Sequence, residues 1–454
     1  MMMKKKISTV IGYCSTVIVT CLTVIVLTGC NDFLDITPTG KVIAKTAEEY
    51  RALLTYEYKV MPEDRGMATL RTDEMTLDKA STTAEDYDSY FDIWTWNDLA
   101  PQATTASFGW RRYYHTIYIA NYIIEHQGEI TDGTRDEIRQ LVGEAYALRA
   151  YMHFLLVNLY AEPYTACEPA TTRGIPVQTV ANVDVVPVCS TVEVVYQQIL
   201  ADLDAADQHL NVATWDNGYN YRFTTTAATA LRARVALYKG DWQAARTAAE
   251  RVIAQRPELE DLTQRSSLLP DNYKSVENIL ALEQVMTAAY KNVGRPSNEL
   301  LAAYRSGDQR KSKFFRQLTA SVSTLQKGGG GESRCSFRTS EMYLTAAEAA
   351  AQLGDMKSAA EHLSTLMKKR YSAATIDGYI EPLATMAAAE LLAEIAHERR
   401  CELAFEGHRW FDLRRTTRPQ LQKSYNGVEY TLQANDSRYT LRFPTEAVEA
   451  NPNL

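Results

Sequence analysis

The chain has 454 residues, 46% of them apolar and 23% charged, with a formal net charge of −8. Those proportions exclude a mostly disordered, collagenous or small disulfide-framework protein, and the acidic balance argues against electrostatic binding of nucleic acid. The aromatic set is biased, with 27 Tyr and 6 Trp against 11 Phe, and Tyr and Trp carry a polar handle suited to wet recognition surfaces.

Lys4, Lys5 and Lys6 precede an uncharged run from Ile7 to Leu27, and the chain then reads Leu27-Thr28-Gly29-Cys30. A basic start, an apolar run and small residues before a break describe a secretory signal over residues 1–29. A run of this length also suits a spanning helix, but its Ser and Thr content weighs against that. The stretch ending at Cys30 resembles a bacterial lipobox, in which the Cys is acylated and becomes the first residue after cleavage. Two or three acyl chains anchor far more firmly than one. Cys14 and Cys21 leave with the signal, so Cys167, Cys189, Cys335 and Cys401 remain beside Cys30. They are too few for a disulfide framework. Cys167 and Cys189 flank one loop region, and their pairing is open. Cys401 lies in an Ala/Leu-rich helix and reads as a buried apolar residue. No Cys/His spacing suggests zinc, and no cofactor is expected.

Beyond the signal, the periodicity is helical. Thr46 with Glu49 forms a capping box before Tyr50 to Leu54. Residues 61–110 are rich in Pro, Thr, Asp and aromatics, have weak periodicity, and read as an insert. Trp110 opens a helix, and Arg135 to Tyr160 is a long one. Over Ser190 to Leu210, Val192, Val195, Tyr196, Ile199, Leu203, Ala206 and Leu210 recur at steps of three and four, and Ser190 with Glu193 suggests its cap. Residues 211–223 are loop-like. An internal repeat follows. Thr226 to Arg256 carries Gly240-Asp241-Trp242 between Ala-rich stretches, and Ser340 to Arg370 repeats the arrangement without a gap around Gly354-Asp355-Met356. Gly ends the first helix of each unit and Asp caps the second, the tetratricopeptide pattern. Between the units, residues 257–340 form an insert whose Gly328–Gly331 run reads as a flexible linker. It is not a phosphate cradle, because no Lys-Ser/Thr follows. Tyr439 to Pro444 reads as a short strand and loop.

No catalytic constellation is visible. Glu398, Glu402 and Glu406 recur on one helix face amid Arg residues, which suits structural ion pairs better than two carboxylates set across a cleft. His397 and His408 lack a third ligand in spacing. Among the tryptophans, Trp110, Trp242 and Trp410 read as core, whereas Trp94, Trp96 and Trp215 lie in loop-like inserts. Sugar rings stack on aromatic faces while amides and carboxylates meet their hydroxyls. The segment Tyr90 to Asp98 offers both kinds of group, including Asn97. If it is extended, alternation puts Trp94 and Trp96 on one side.

The ordered set of motifs resembles the SusD/RagB family of Bacteroidetes outer-membrane lipoproteins. Its carriers are Cys30-Asn31-Asp32-Phe33-Leu34-Asp35, Trp110-Arg111-Arg112-Tyr113-Tyr114, Gly143-Glu144-Ala145 through Tyr151, Glu398-Arg399-Arg400, Phe405 to Arg415, and the terminal Asn451-Pro452-Asn453-Leu454. The resemblance implies a mainly α body over residues 30–454, with an N-terminal part over 30–300 and a C-terminal part from about 301 to 454. About four tetratricopeptide-like helix pairs would form one face and irregular loops the other. It implies binding without catalysis: capture of a glycan, or in some members a peptide, at the cell surface. The partner would be a TonB-dependent, SusC-like transporter, and the anchor the lipid on Cys30 in the outer membrane. It also places Trp94 and Trp96 where the family often sets a ligand-stacking aromatic, Asp73 and Glu74 near the ligand, and Tyr290 where a second aromatic is often added. A purely structural scaffold is a further reading of the helical repeats.

Overall fold

The computed structural model describes residues 44–454 apart from positions 80 and 321. The signal segment and Cys30 lie outside the described residues.

The first helix, α1 (Ala47–Lys59), begins at the expected capping box: the Thr46 hydroxyl accepts from the Glu49 amide while the Glu49 carboxylate accepts from the Thr46 amide. After it come α2 (Ala84–Trp94), α3 (Trp110–Glu125), α4 (Arg135–Tyr160), α5 (Val192–His209), α6 (Thr225–Lys239) and α7 (Trp242–Gln255). The remaining long helices are α8 (Thr339–Gln352), α9 (Met356–Met367) and α10 (Ala388–Glu402), followed by the short α11 (Arg409–Arg415). Four pairs make up the scaffold: α1 on α3, α4 on α5, α6 on α7 and α8 on α9. Helix α8 also packs on α7 and α10, so the last two pairs form one continuous stack. The first two pairs are split by long inserts, while the last two are joined through Gly240-Asp241 and Gly354-Asp355. Both glycines are left-handed, at φ 74° and 84°, and each Asp side chain accepts from the amide three residues on. The facing surfaces are lined by small residues, including buried Ala230, Ala245, Ala346, Ala349 and Ala359, which let the backbones approach closely.

Several local expectations change. The cap of α5 is Thr191 rather than Ser190: the short strand Cys189–Thr191, paired with Arg173–Pro176, runs into the helix, and the hydroxyl of its last residue accepts from the Val194 amide. The insert over 61–110 contains the helical turn Asp64–Thr69 and the amphipathic α2. The glycine run is an ordered turn and not a flexible linker: the Gly328 amide donates to Asp271, the Gly329 amide to the Met286 carbonyl, and the Gly330 carbonyl accepts from Gln284. Trp110 and Trp410 are core, but Trp242 is half-buried. The chain end contains a 3-10 turn, Ser437–Tyr439, where a strand was expected. The strands there come earlier, as a hairpin of Leu421–Tyr425 and Val428–Leu432. Cys167, Cys189, Cys335 and Cys401 are all free thiols, and Cys401 is buried as expected.

The loop side is joined to the scaffold by a buried cluster of charge. Glu402 accepts from Arg370 at 2.8 Å through both carboxylate oxygens, from Arg338 at 2.6 Å and from Arg310 at 3.3 Å. Glu406 accepts from Arg338 and Lys327, and Glu398 from Arg310 and Tyr371. The carboxylates are therefore ion-paired, as the sequence suggests, but only Glu398 and Glu402 share a helix: α10 ends at Glu402, Glu406 lies in the turn after it, and their cations come from remote segments.

Candidate functional site

The loop side is built on α2 and the hairpin at 421–432. Helix α2 carries aromatics at Tyr87, Tyr90, Phe91 and Trp94, an i, i+3, i+4, i+7 stripe on one face. The inner end of the stripe is sealed. Trp94 and Trp96 are both fully buried, at 0% exposure, so neither presents a face to a ligand. The extended reading fails because Trp94 closes a helix and Trp96 follows it in the left-handed region at φ 59°. Their indole N–H groups donate to the Met75 and Arg71 carbonyls at 3.1 and 2.9 Å. The buried Lys423 ammonium caps both rings at 5.0 and 4.2 Å and donates to the Leu70 and Trp94 carbonyls. Burial, with the nearby Arg71 charge adding to it, holds that ammonium well below its ordinary pKa.

The other expected site residues are also committed to structure. Asp73 is clamped by Arg409 at 2.9 and 2.7 Å and by Arg400 at 3.0 Å. Burial pushes its carboxyl up, but the two guanidinium groups outweigh this and hold it below its usual range. Its neighbour Glu74 is buried under the Phe405 amide, and burial, reinforced by the Asp73 charge, raises its pKa to about 8. Asn97 donates to Asp92 and to the Ala100 carbonyl, folding the loop after α2 back onto the helix. Trp215 is half-buried with the Arg222 guanidinium 3.9 Å above its ring. Tyr290 is 7% exposed and meets Tyr90 edge-on at 5.7 Å. Trp94, Trp96, Asp73 and Tyr290 share one region of the loop side, while Trp215 stands apart beside Arg222 and Glu144.

The groups left open are tyrosines. Tyr87 stacks on Phe91 at 4.3 Å and leans on Tyr425 of the hairpin at 5.8 Å. Tyr430 meets Phe91 edge-on at 5.5 Å. Tyr87, Tyr90, Tyr425 and Tyr430 are all half-buried around the sealed Phe91 and Trp94. The result is a shelf of partly open rings on a rigid base, flanked in sequence by Asp88, Ser89 and Asn426. Such a surface offers stacking faces beside hydroxyl, amide and carboxylate groups. The 3.6-residue spacing of the aromatics in α2 was the available signal for Tyr87. For Tyr425 and Tyr430 the Asn426-Gly427 turn signals the hairpin, but its packing against α2 from the far end of the chain does not show in the sequence. A larger depression of about 990 Å³ lies between the start of α3 and the C-terminal turn at 445–450. Its rings are less available: Trp110 is 8% exposed, and the Tyr114 hydroxyl donates to the Pro176 carbonyl.

Comparison with known proteins gives a consistent result. A family model described as starch-binding, associating with the outer membrane, matches residues 32–237, and the SusD family model matches residues 262–453. A SusD-like protein of Formosa agariphila is 24% identical, over 87% of this chain and 89% of its own. A SusD superfamily protein from Bacteroides fragilis superposes with a TM-score of 0.75 at 22% identity, covering 91% of this chain and 100% of that one. A laminarin-binding SusD-like protein superposes with a TM-score of 0.59 at 20% identity, covering 82% and 92% of the two chains. The helix-pair scaffold with its loop-rich side is the fold of these structures, and the chain belongs to the SusD/RagB family.

Proposed function

We propose that this chain is a glycan-capturing surface lipoprotein. Residues 1–29 are removed, Cys30 carries the lipid that holds the protein at the outer membrane, and residues 30–454 bind the ligand without chemistry. The observation that carries the reading is the tyrosine shelf formed by Tyr87, Tyr90, Tyr425 and Tyr430. Its rings are open enough to stack and are held by a buried aromatic base. The laminarin-binding relative supports a carbohydrate ligand, and the family supports delivery to a TonB-dependent, SusC-like transporter. A shallow polar shelf recovers little beyond the cost of ordering the ligand, so a modest affinity is expected, as handover requires.

The test is affinity electrophoresis and titration calorimetry of the soluble chain against neutral glucans and against peptides. The double variant Tyr87→Ala/Tyr425→Ala should weaken glucan binding by at least about tenfold, the loss of two stacked rings. Its circular dichroism should be unchanged. Binding of peptides and of no glycan would replace the reading with peptide capture by the same kind of uptake system.

A further inference from the structure

A second depression, of about 400 Å³, is separate from the tyrosine shelf. Three distant segments form it: the end of α1, the loop at 218–221, and the insert residues around 273, 281–282 and 331–334. These segments are pinned together. The Asn220 side chain donates to the Tyr273 carbonyl at 2.7 Å, and the Asn220 carbonyl accepts from the Ala281 amide at 2.8 Å. The walls are Tyr221, which meets buried Tyr58 edge-on at 5.7 Å, and the half-buried Tyr273.

The depression also holds two cations without a counter-ion. Among the described residues, neither Lys59 nor Arg334 has a carboxylate within ion-pair distance. Arg334 makes one long bond, at 3.4 Å, to the Leu282 carbonyl, so most of its donors are free. The nearby carboxylates do not fill this role. Glu332 is taken by Lys274 at 3.0 Å, Glu144 by Arg51 and Arg222, and Glu63 acts on Arg334 only from beyond ion-pair distance. The buried guanidinium groups Arg65, Arg71, Arg149, Arg234 and Arg310, by contrast, each have a carboxylate within hydrogen-bond distance. What sets this place apart is that two cations without an ion pair line the same tyrosine-walled depression.

We propose that this depression is a second sugar subsite that takes a carboxylate-bearing unit, stacked on Tyr221 or Tyr273 with its carboxylate held by Arg334 and Lys59. The glycan captured is then an acidic one, or one with acidic units at intervals. This rests on the glycan reading above and specifies its ligand. A planar guanidinium donates two parallel bonds to a carboxylate, a preference that a neutral sugar does not satisfy.

The test uses the soluble chain with oligogalacturonates, the same oligomers carboxyl-reduced to neutral sugars, neutral glucan oligomers and oligoglutamate, by calorimetry at low and moderate salt. Oligogalacturonate should bind more tightly than its reduced form and weaken with salt. Arg334→Ala/Lys59→Ala should lose at least about tenfold of that affinity, the usual worth of charge-assisted bonds, and leave neutral glucan binding unchanged. Equal binding of oxidised and reduced oligomers, or no effect of the double variant, overturns the subsite and leaves the glycan reading standing. Oligoglutamate binding in place of the sugar assigns the depression to acidic peptides and also overturns it. Failure of every glycan, neutral and acidic alike, sinks both readings.

Discussion

Trp94 and Trp96 show how residue type and residue role separate. As a Trp-Thr-Trp segment among Asp and Asn, they match the chemistry of a sugar platform. Burial decides otherwise, because a ring with no exposed face has no room for a second one. Their role is to fill the base of the loop side and to accept the Lys423 charge. Trp96→Ala should therefore cost about 3–5 kcal/mol of stability, the range for deleting a buried Trp. The urea midpoint should fall accordingly, whereas a variant that kept the wild-type midpoint would contradict the burial. Glu74 gives a pH signature at the same scale. Its carboxyl is raised from 4.5 to about 8, chiefly by burial and then by the Asp73 charge. A raised acid is neutral in the folded state while its unfolded counterpart has ionised. Its contribution is thus complete below the unfolded pKa and lost as pH rises through about 8. Glu74→Gln removes that slope. Its urea midpoint should match wild type at about pH 4 and exceed it at about pH 9. A constant difference at both values would show that Glu74 does not titrate in this range.

At the scale of elements, the scaffold was legible and the loop side was only partly so. The Gly-Asp punctuation of α6–α7 and α8–α9 is local chemistry, a left-handed residue followed by a side-chain cap, and it can be read directly from the chain. The same holds for the capping box of α1 and the apolar stripe of α5. Helix α2 was hidden because its acidic first turn and crowded aromatics look like a loop in composition, although their spacing is helical. The hairpin at 421–432 does leave a local signal, Asn426-Gly427 as a two-residue turn with both residues at positive φ, but which helix it packs on depends on the fold. The caps themselves can be tested. Asp241 and Asp355 each satisfy one amide at 3.1 Å, so Asp241→Ala and Asp355→Ala should each cost about 1 kcal/mol. Asp355 also pairs with Arg246 of α7 at 3.0 Å, an exposed bridge that adds little. The double variant should therefore show close to the sum of the two losses in thermal unfolding. A large departure from additivity would mean that the two repeat units are coupled through these turns.

Across the whole molecule, the buried ion network joins what the sequence separates. Glu277, Arg310, Lys327, Arg338, Arg370, Glu398, Glu402 and Glu406 come from insert, turn and helix, yet bond to one another in one buried cluster. The sequence indicates that the carboxylates on α10 would be paired but cannot name partners whose proximity the fold itself creates. Glu402 sits at the centre. Burial alone would raise its carboxyl, but Arg370 and Arg338 outweigh burial and hold it well below its usual range. It therefore stays ionised when folded, and its contribution is present above the unfolded pKa and lost as pH falls. A pair of this kind need not stabilise the fold relative to an apolar substitute, but removing one partner leaves the others charged and unpaired. Glu402→Gln should thus cost about 3–5 kcal/mol at neutral pH. Because the cluster spans both the repeat stack and the loop insert, the loss should lower one shared unfolding transition. It should not melt the loop side alone. Tryptophan fluorescence, which samples Trp94 and Trp96 on the loop side and Trp242 on the repeats, and far-ultraviolet dichroism, which samples the helices, should then report the same lowered midpoint. Separate midpoints would show that the network holds the loop side to the scaffold without making them one cooperative unit.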